Sequence, residues 1–122
     1  MGKYIIHSDA DAFYFELLAA NKETILTGSR YALKGACLKG IDSVRRNAPA
    51  AHLEDQTLKD FEMQPNPKFE LYRDKKRRYC YRLCARNGKV IAEGGGYTSK
   101  ELCRQGIESV RRNAVKSKVA EK

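Results

Sequence analysis

With 122 residues, 42% of them hydrophobic, the chain has apolar material for one ordinary domain core. It has no run of about eighteen apolar residues, and in "MGKYIIHSDADAF" acids follow a very short apolar stretch; this argues against a membrane span or a signal peptide and for a cytoplasmic protein. The net charge of +9 is unevenly spread: residues 1–66 carry eight Lys or Arg against nine Asp or Glu (−1), and residues 67–122 carry sixteen against six (+10).

The chain opens on "KYIIH", a short β-prone run from Lys3, and continues through the acidic turn "SDADA", Ser8 to Ala12. Phe13, Phe15, Leu17 and Ala19 then fall on one face of a second strand. After a third strand comes a helix, on which Leu33, Cys37, Ile41, Val44 and Ala48 lie within about 80° of arc at about 100° per residue, a stripe suited to packing on a sheet. Pro49 closes this unit, and "AAHLED" is a candidate fourth strand. "QTLKDFEMQPNP", residues 56–67, reads as a linker stiffened by Pro65 and Pro67.

The same order then returns. "KFELY" leads into a basic turn, "RDKKRR", Arg73 to Arg78. "YCYRLCA" places Tyr79, Tyr81, Leu83 and Ala85 on one face and Cys80, Arg82 and Cys84 on the other. The Asn87-Gly88 pair of "RNGK" suits a two-residue hairpin turn with positive φ at both positions, and "VIAEG" makes a third strand. A helix is predicted from about Ser99 to Asn113, and "SKVAEK" is the matching last strand. Thr98 and Glu101 have the spacing of a capping box, whereas Ala32 and Gly35 stand there in the first unit. The first helix is therefore expected to be the weaker, and Ala32→Thr with Gly35→Glu to raise the melting temperature.

Phe13–Ala48 aligns with Tyr79–Ala114 at a constant offset of 66, with 16 identities in 36 positions; the opening strands align at an offset of 65. The strongest shared phrase is "GIDSVRRNA" from Gly40 and "GIESVRRNA" from Gly106. A β-β-β-α-β unit of this size is marginal alone, so the expectation is a single domain, 1–122, in which repeat 1 (3–55) and repeat 2 (68–121) share a core across the linker 56–67. In the signature, Ile41, Val44, Ile107 and Val110 belong to the apolar stripes, and Asn47 and Asn113 suit a left-handed helix cap. Gly40 and Gly106 each cost about 1 kcal/mol relative to Ala in mid-helix, and close approach of another backbone, helix to helix across a pseudo-twofold axis, is the simplest reason for them.

"GYTSKELCRQGIESVRRNA", preceded by "KFELYRDKKRRYCYRLCARNGKVIAEG", resembles the YegP-like family of small bacterial proteins of unknown function. The first repeat departs from the pattern at Asn21-Lys22 and Ala32-Leu33. The resemblance implies an α+β fold of two β3-αβ units in one shared antiparallel sheet, with both helices on one face, the last strands exchanged between repeats, and a pseudo-symmetric monomer. It implies no activity.

For function, Arg73, Lys75, Lys76, Arg77 and Arg78, with Arg82 and Arg86 on the outer face of the next strand, form a candidate ridge for a phosphate backbone; Tyr72 and Tyr79 offer stacking rings. A solvated turn is the plain alternative. The "SVRRN" arginines suit a helix C-terminus, or a pair reaching a partner. "EGGGYTSKE" could cradle an anion with Lys100 but lacks GxxxxGK[ST], so a Gly-rich approach to a capped helix is the better account. The four cysteines with His7 and His52 assemble no zinc spacing, so reduced thiols and no metal or cofactor are expected. Catalysis would require a pair such as His7 and Cys37 to meet, and Tyr72 replaces His7 in the other repeat. The leading expectation is a non-enzymatic module binding nucleic acid or another polyanion, or an acidic protein, through repeat 2. The alternative is a protein-interaction module using the sheet face opposite the helices, where Tyr14, Leu18, Cys80 and Cys84 would leave apolar surface uncovered.

Overall fold

Period-two alternation and two narrow apolar helix stripes become ten elements in the computed structural model, which describes residues 2–122. The first repeat supplies β1 (Lys3–Asp9), β2 (Ala12–Leu18), β3 (Thr24–Gly28), α1 (Lys34–Asn47) and β4 (His52–Asp55). The second supplies β5 (Lys68–Arg73), β6 (Tyr79–Cys84), β7 (Val90–Tyr97), α2 (Lys100–Ala114) and β8 (Lys118–Glu121). Among the described residues, no helix is long and apolar enough to cross a membrane.

The strands form one sheet in the order β4-β5-β6-β7-β3-β2-β1-β8. β3 and β7 join the halves at the centre, pairing Thr27 with Glu93 and Gly28 with Ala92. The last strands are exchanged: β4 of repeat 1 lies on β5 of repeat 2, and β8 lies on β1. Both exchanged pairs are parallel while every inner pair is antiparallel, so the sheet is mixed rather than antiparallel throughout. The parallel neighbours β4 and β5 are joined directly by the twelve residues 56–67, a crossover of the length that parallel pairing requires, whereas each helix carries the chain from a central strand to the sheet edge beside the other repeat's first strand.

Phe15, Leu17, Tyr81 and Leu83 meet Ile41, Val44, Ile107 and Val110 in one buried cluster between the sheet and both helices. The repeats thus bury a common core on one face, and the opposite face carries Tyr14, Glu16, Tyr72, Cys80 and Arg82.

Four local expectations change. A Cβ on Gly40 would overlap the Tyr31 hydroxyl, and one on Gly106 the Tyr97 hydroxyl. The mid-helix glycines therefore admit the ring of the tyrosine that precedes their own helix, not a second helix. The N-cap of α2 is Ser99, whose side chain accepts from Leu102 N–H at 3.1 Å, so the Thr98–Glu101 box is displaced by one residue. In α1 the same place is held by Leu33, extended and without a side-chain cap; it is 70% exposed and stands outside the apolar stripe. Asn47 and Asn113 stay out of the left-handed region, and each donates from Nδ2 to the carbonyl four residues back, Ser43 or Ser109, at 2.8 Å. The β6–β7 turn has positive φ only at Gly88 (86°), with Ala85 N–H donating to the Lys89 carbonyl; Lys22 takes the equivalent conformation at 71°. These are three-residue loops, in which one left-handed residue suffices.

Candidate anion-binding surfaces

Asp74 organises the turn between β5 and β6. Its Oδ1 accepts the backbone N–H groups of Lys76 and Arg78, both at 2.9 Å, and its Oδ2 accepts Arg78 Nε at 3.0 Å. The Arg78 backbone N–H, with its guanidinium, holds the Asp74 carboxyl below the usual range against a smaller opposing effect of desolvation. Arg78 is thereby neutralised. Arg73 lies over the Tyr79 ring at 4.9 Å and donates to the Arg77 carbonyl, while Arg77 bends the chain with φ of 64°. Lys75, Lys76 and Arg77 are exposed, and their side chains have no hydrogen-bond or ion-pair partner among the described residues. The counterpart in repeat 1 is the acidic turn after β1, where Asp9 pairs with Arg30 at 3.1 Å.

Arg82 is drawn into a different arrangement. Its Nε lies 2.5 Å from Glu70 Oε1 and its guanidinium 4.2 Å from the Tyr72 ring centre. Each of the two tyrosines expected to stack on bases has an arginine over one face of its ring. Glu54, 1% exposed, accepts Lys68 Nζ at 2.8 Å, Gln56 Nε2 at 2.6 Å and the Gln64 backbone N–H at 2.8 Å. Burial alone would raise its pKa, but these donors and the Lys68 charge together hold it down at about 2. Cys84, beside this ionic layer, and Cys80, beside Asp74 of the basic turn, are 3% and 7% exposed, so the uncovered apolar surface expected around them is absent. Burial, with the Glu70 carboxylate nearby, pushes the Cys84 thiol up to about 11.

Of the seven basic residues singled out in the sequence, the structure brings Arg73, Lys75, Lys76, Arg77 and Arg78 to one turn. Arg86 sits past the opposite end of β6, about 20 Å away for six extended residues. Lys100 is paired with Asp55 at 3.0 Å and is not free to cradle an anion at the start of α2. His7 stacks on Tyr14 on the open sheet face, while Cys37 is in the core on the buried side of α1, so the two cannot meet. All four cysteines are free and buried; burial pushes the Cys37 thiol up and the Cys103 thiol up to about 12.

The repeated arginines divide the same way in both helices. Arg45 donates to the Ser117 carbonyl at 2.7 Å and Arg111 to the Ala48 carbonyl at 3.5 Å, tying each helix to the other repeat. Arg46 and Arg112 remain exposed. Arg46 lines a concavity of about 370 Å³ with Ser43, Asn47, Ala50, Pro67 and the β6–β7 turn, Arg86 included. Arg112 lines the pseudo-equivalent one with Ser109, Asn113 and the β2–β3 turn. Each groove brings one repeat's helix against the other repeat's turn, a juxtaposition with no signal in either segment alone.

The comparisons with known proteins agree with this duplicated architecture. A family profile described as a domain of unknown function (DUF1508) matches twice, at residues 8–55 and 74–121. A UPF0339 protein of Treponema denticola is 54% identical over 54 residues, covering 44% of this chain and 93% of that protein. A UPF0339 protein encoded in the ptx operon 5' region of Stutzerimonas stutzeri is 31% identical over 121 residues, 98% of this chain and 96% of that protein. The solution NMR structure of the E. coli protein of unknown function YegP superposes with a TM-score of 0.80 at 28% identity, covering 99% of this chain and 92% of that one. A UPF0339 protein of Shewanella oneidensis gives 0.79 at 27% identity, covering 98% and 90%.

Proposed function

We propose that this chain, which belongs to the DUF1508 family of domains of unknown function, is a small binding module that engages a polyanion, nucleic acid first among them, through the β5–β6 turn of its second repeat. The observation that carries the reading is the set of three exposed cations, Lys75, Lys76 and Arg77, on a turn already fastened by Asp74. A turn fixed by its own hydrogen bonds loses little conformational entropy on binding, and cations without carboxylate partners exchange only counterions for phosphates. The excess of +10 in residues 67–122 adds long-range attraction of the same sign. Binding rather than catalysis is also supported by Cys37, Cys84 and Cys103, where burial disfavours the thiolate that nucleophilic chemistry needs.

The test is fluorescence anisotropy with labelled single- and double-stranded DNA and RNA across a salt series. Wild type is compared with a variant in which Lys75, Lys76 and Arg77 are all changed to Ala. Three lost phosphate contacts make the slope of log K against log salt shallower by roughly 2 to 3. Absence of wild-type binding at about 50 mM salt, or an unchanged slope in the variant, refutes the reading.

A further inference from the structure

Two arginines far apart in the chain line the groove between α1 and the β6–β7 turn. Arg46 comes from the last turn of α1, and Arg86 from the residue pair that follows β6. Both are exposed, and neither side chain has a hydrogen-bond or ion-pair partner among the described residues, whereas Arg30, Arg45, Arg78, Arg82, Arg104 and Arg111 are all paired. We propose that this groove is a binding site for a phosphate-type dianion carried on a small molecule. It lies at the opposite end of β6 from the basic turn and does not depend on nucleic-acid binding.

Three features fit that ligand. Guanidinium forks match the oxygen pairs of a phosphate, and two of them balance its double charge. The site adjoins the C-terminus of α1, where the helix carries roughly half a negative charge, so one arginine alone leaves only about half a positive charge and the second raises it to about one and a half. The lining also includes neutral polar groups. Ser43 Oγ accepts from Asn47 Nδ2 at 3.0 Å, which leaves its own O–H to donate, and Asn87 Oδ1 is used by the Lys89 backbone N–H at 3.0 Å, which leaves its Nδ2 free. The volume of about 370 Å³ is at the small end for ligand sites.

The internal duplication supplies a comparison. In the pseudo-equivalent groove Ser109, Arg112, Asn113 and Asn21 hold the matching positions, but Ala20 stands where Arg86 would be. There Gly2 N–H donates to Asn113 Oδ1 at 3.2 Å, and Pro67, the counterpart of Gly2, has no N–H to give Asn47. One groove is thus a two-cation site with an Asn carbonyl open to a ligand hydroxyl. The other is a one-cation site whose Asn113 carbonyl is already used by the Gly2 backbone N–H.

The test is an NMR titration of the full chain with inorganic phosphate and with ribose 5-phosphate, following backbone amides and arginine Nε–H signals, with acetate as the monoanion control. Saturable shifts are expected at Arg46, Arg86 and Asn87, weaker by about tenfold or more with acetate. Arg46→Ala and Arg86→Ala each weaken binding by about tenfold or more, while the Lys75, Lys76 and Arg77 triple alanine variant leaves it unchanged. Ala20→Arg is expected to create a second set of saturable shifts at Arg112 and Asn113. The proposal is overturned by unsaturable shifts, by shifts that persist in both single-arginine variants, by a response centred on Lys75–Arg77, or by an Ala20→Arg variant that gains no second site.

Discussion

Leu33→Asp should stabilise the protein by about 1 kcal/mol, because α1 lacks the cap that α2 has. Leu33 and Ser99 are equivalent N-cap residues with nearly the same extended backbone, φ −124° and ψ 142° against φ −136° and ψ 155°. Ser99 accepts from the N–H three residues on, and in α1 the corresponding donor is Ala36. A carboxylate at position 33 is therefore placed to cap Ala36, a gain of about 1 kcal/mol. It also puts a negative charge at a helix start whose first turn holds no acid, a further gain of about 0.5 kcal/mol. Against this stands the apolar contact of a side chain already 70% exposed, a loss of about 0.5 kcal/mol. For a chain of this length the net gain corresponds to about 3–5 °C in melting temperature, read by differential scanning calorimetry. Ser99→Ala should lose about 1 kcal/mol, and Ala32→Thr, one residue too early, should do nothing. An unchanged melting temperature in Leu33→Asp, or an equal gain from Ala32→Thr, refutes the cap assignment.

Two more perturbations test the packing and the ionic layer. Gly106→Ala should destabilise the protein in urea titrations despite the better helix propensity of Ala, because the new Cβ meets the Tyr97 hydroxyl; adding Tyr97→Phe should restore part of the loss, and no rescue would mean that the obstruction lies elsewhere. Glu54→Gln should cost about 3 kcal/mol at neutral pH by leaving buried Lys68 without its closest partner. Glu54 is lowered from 4.5 to about 2 in the folded state, so its contribution is complete above pH 4.5 and lost as pH falls toward 2. The stability gap between wild type and Glu54→Gln should accordingly close across that range, and a gap unaffected by acid would show that the charge of Glu54 is not what stabilises the site.

What could be read from the sequence was whatever depends on spacing along one segment. The alternation in "YCYRLCA" placed Tyr81 and Leu83 inward and Arg82 outward, and the stripe Cys103, Ile107, Val110 and Ala114 identified the buried side of α2, because strand and helix periods are properties of the local backbone. The offset of 66 identified the duplication, and a unit too small to bury its own core required the second copy. Only the tertiary structure decided the partners, since they come from segments remote in sequence. Arg82 reads as a free outward cation until β5 brings Glu70 beside it. Gly40 reads as a helix defect until the Tyr31 ring folds over it. Arg46 and Arg86, forty residues apart, become neighbours because the exchange of last strands lays the helix of one repeat against the turn of the other. Charge and polarity are written residue by residue, but whether a cation is neutralised, stacked or left open depends on which long-range pairings the sheet makes, and those follow from burying two incomplete cores as one.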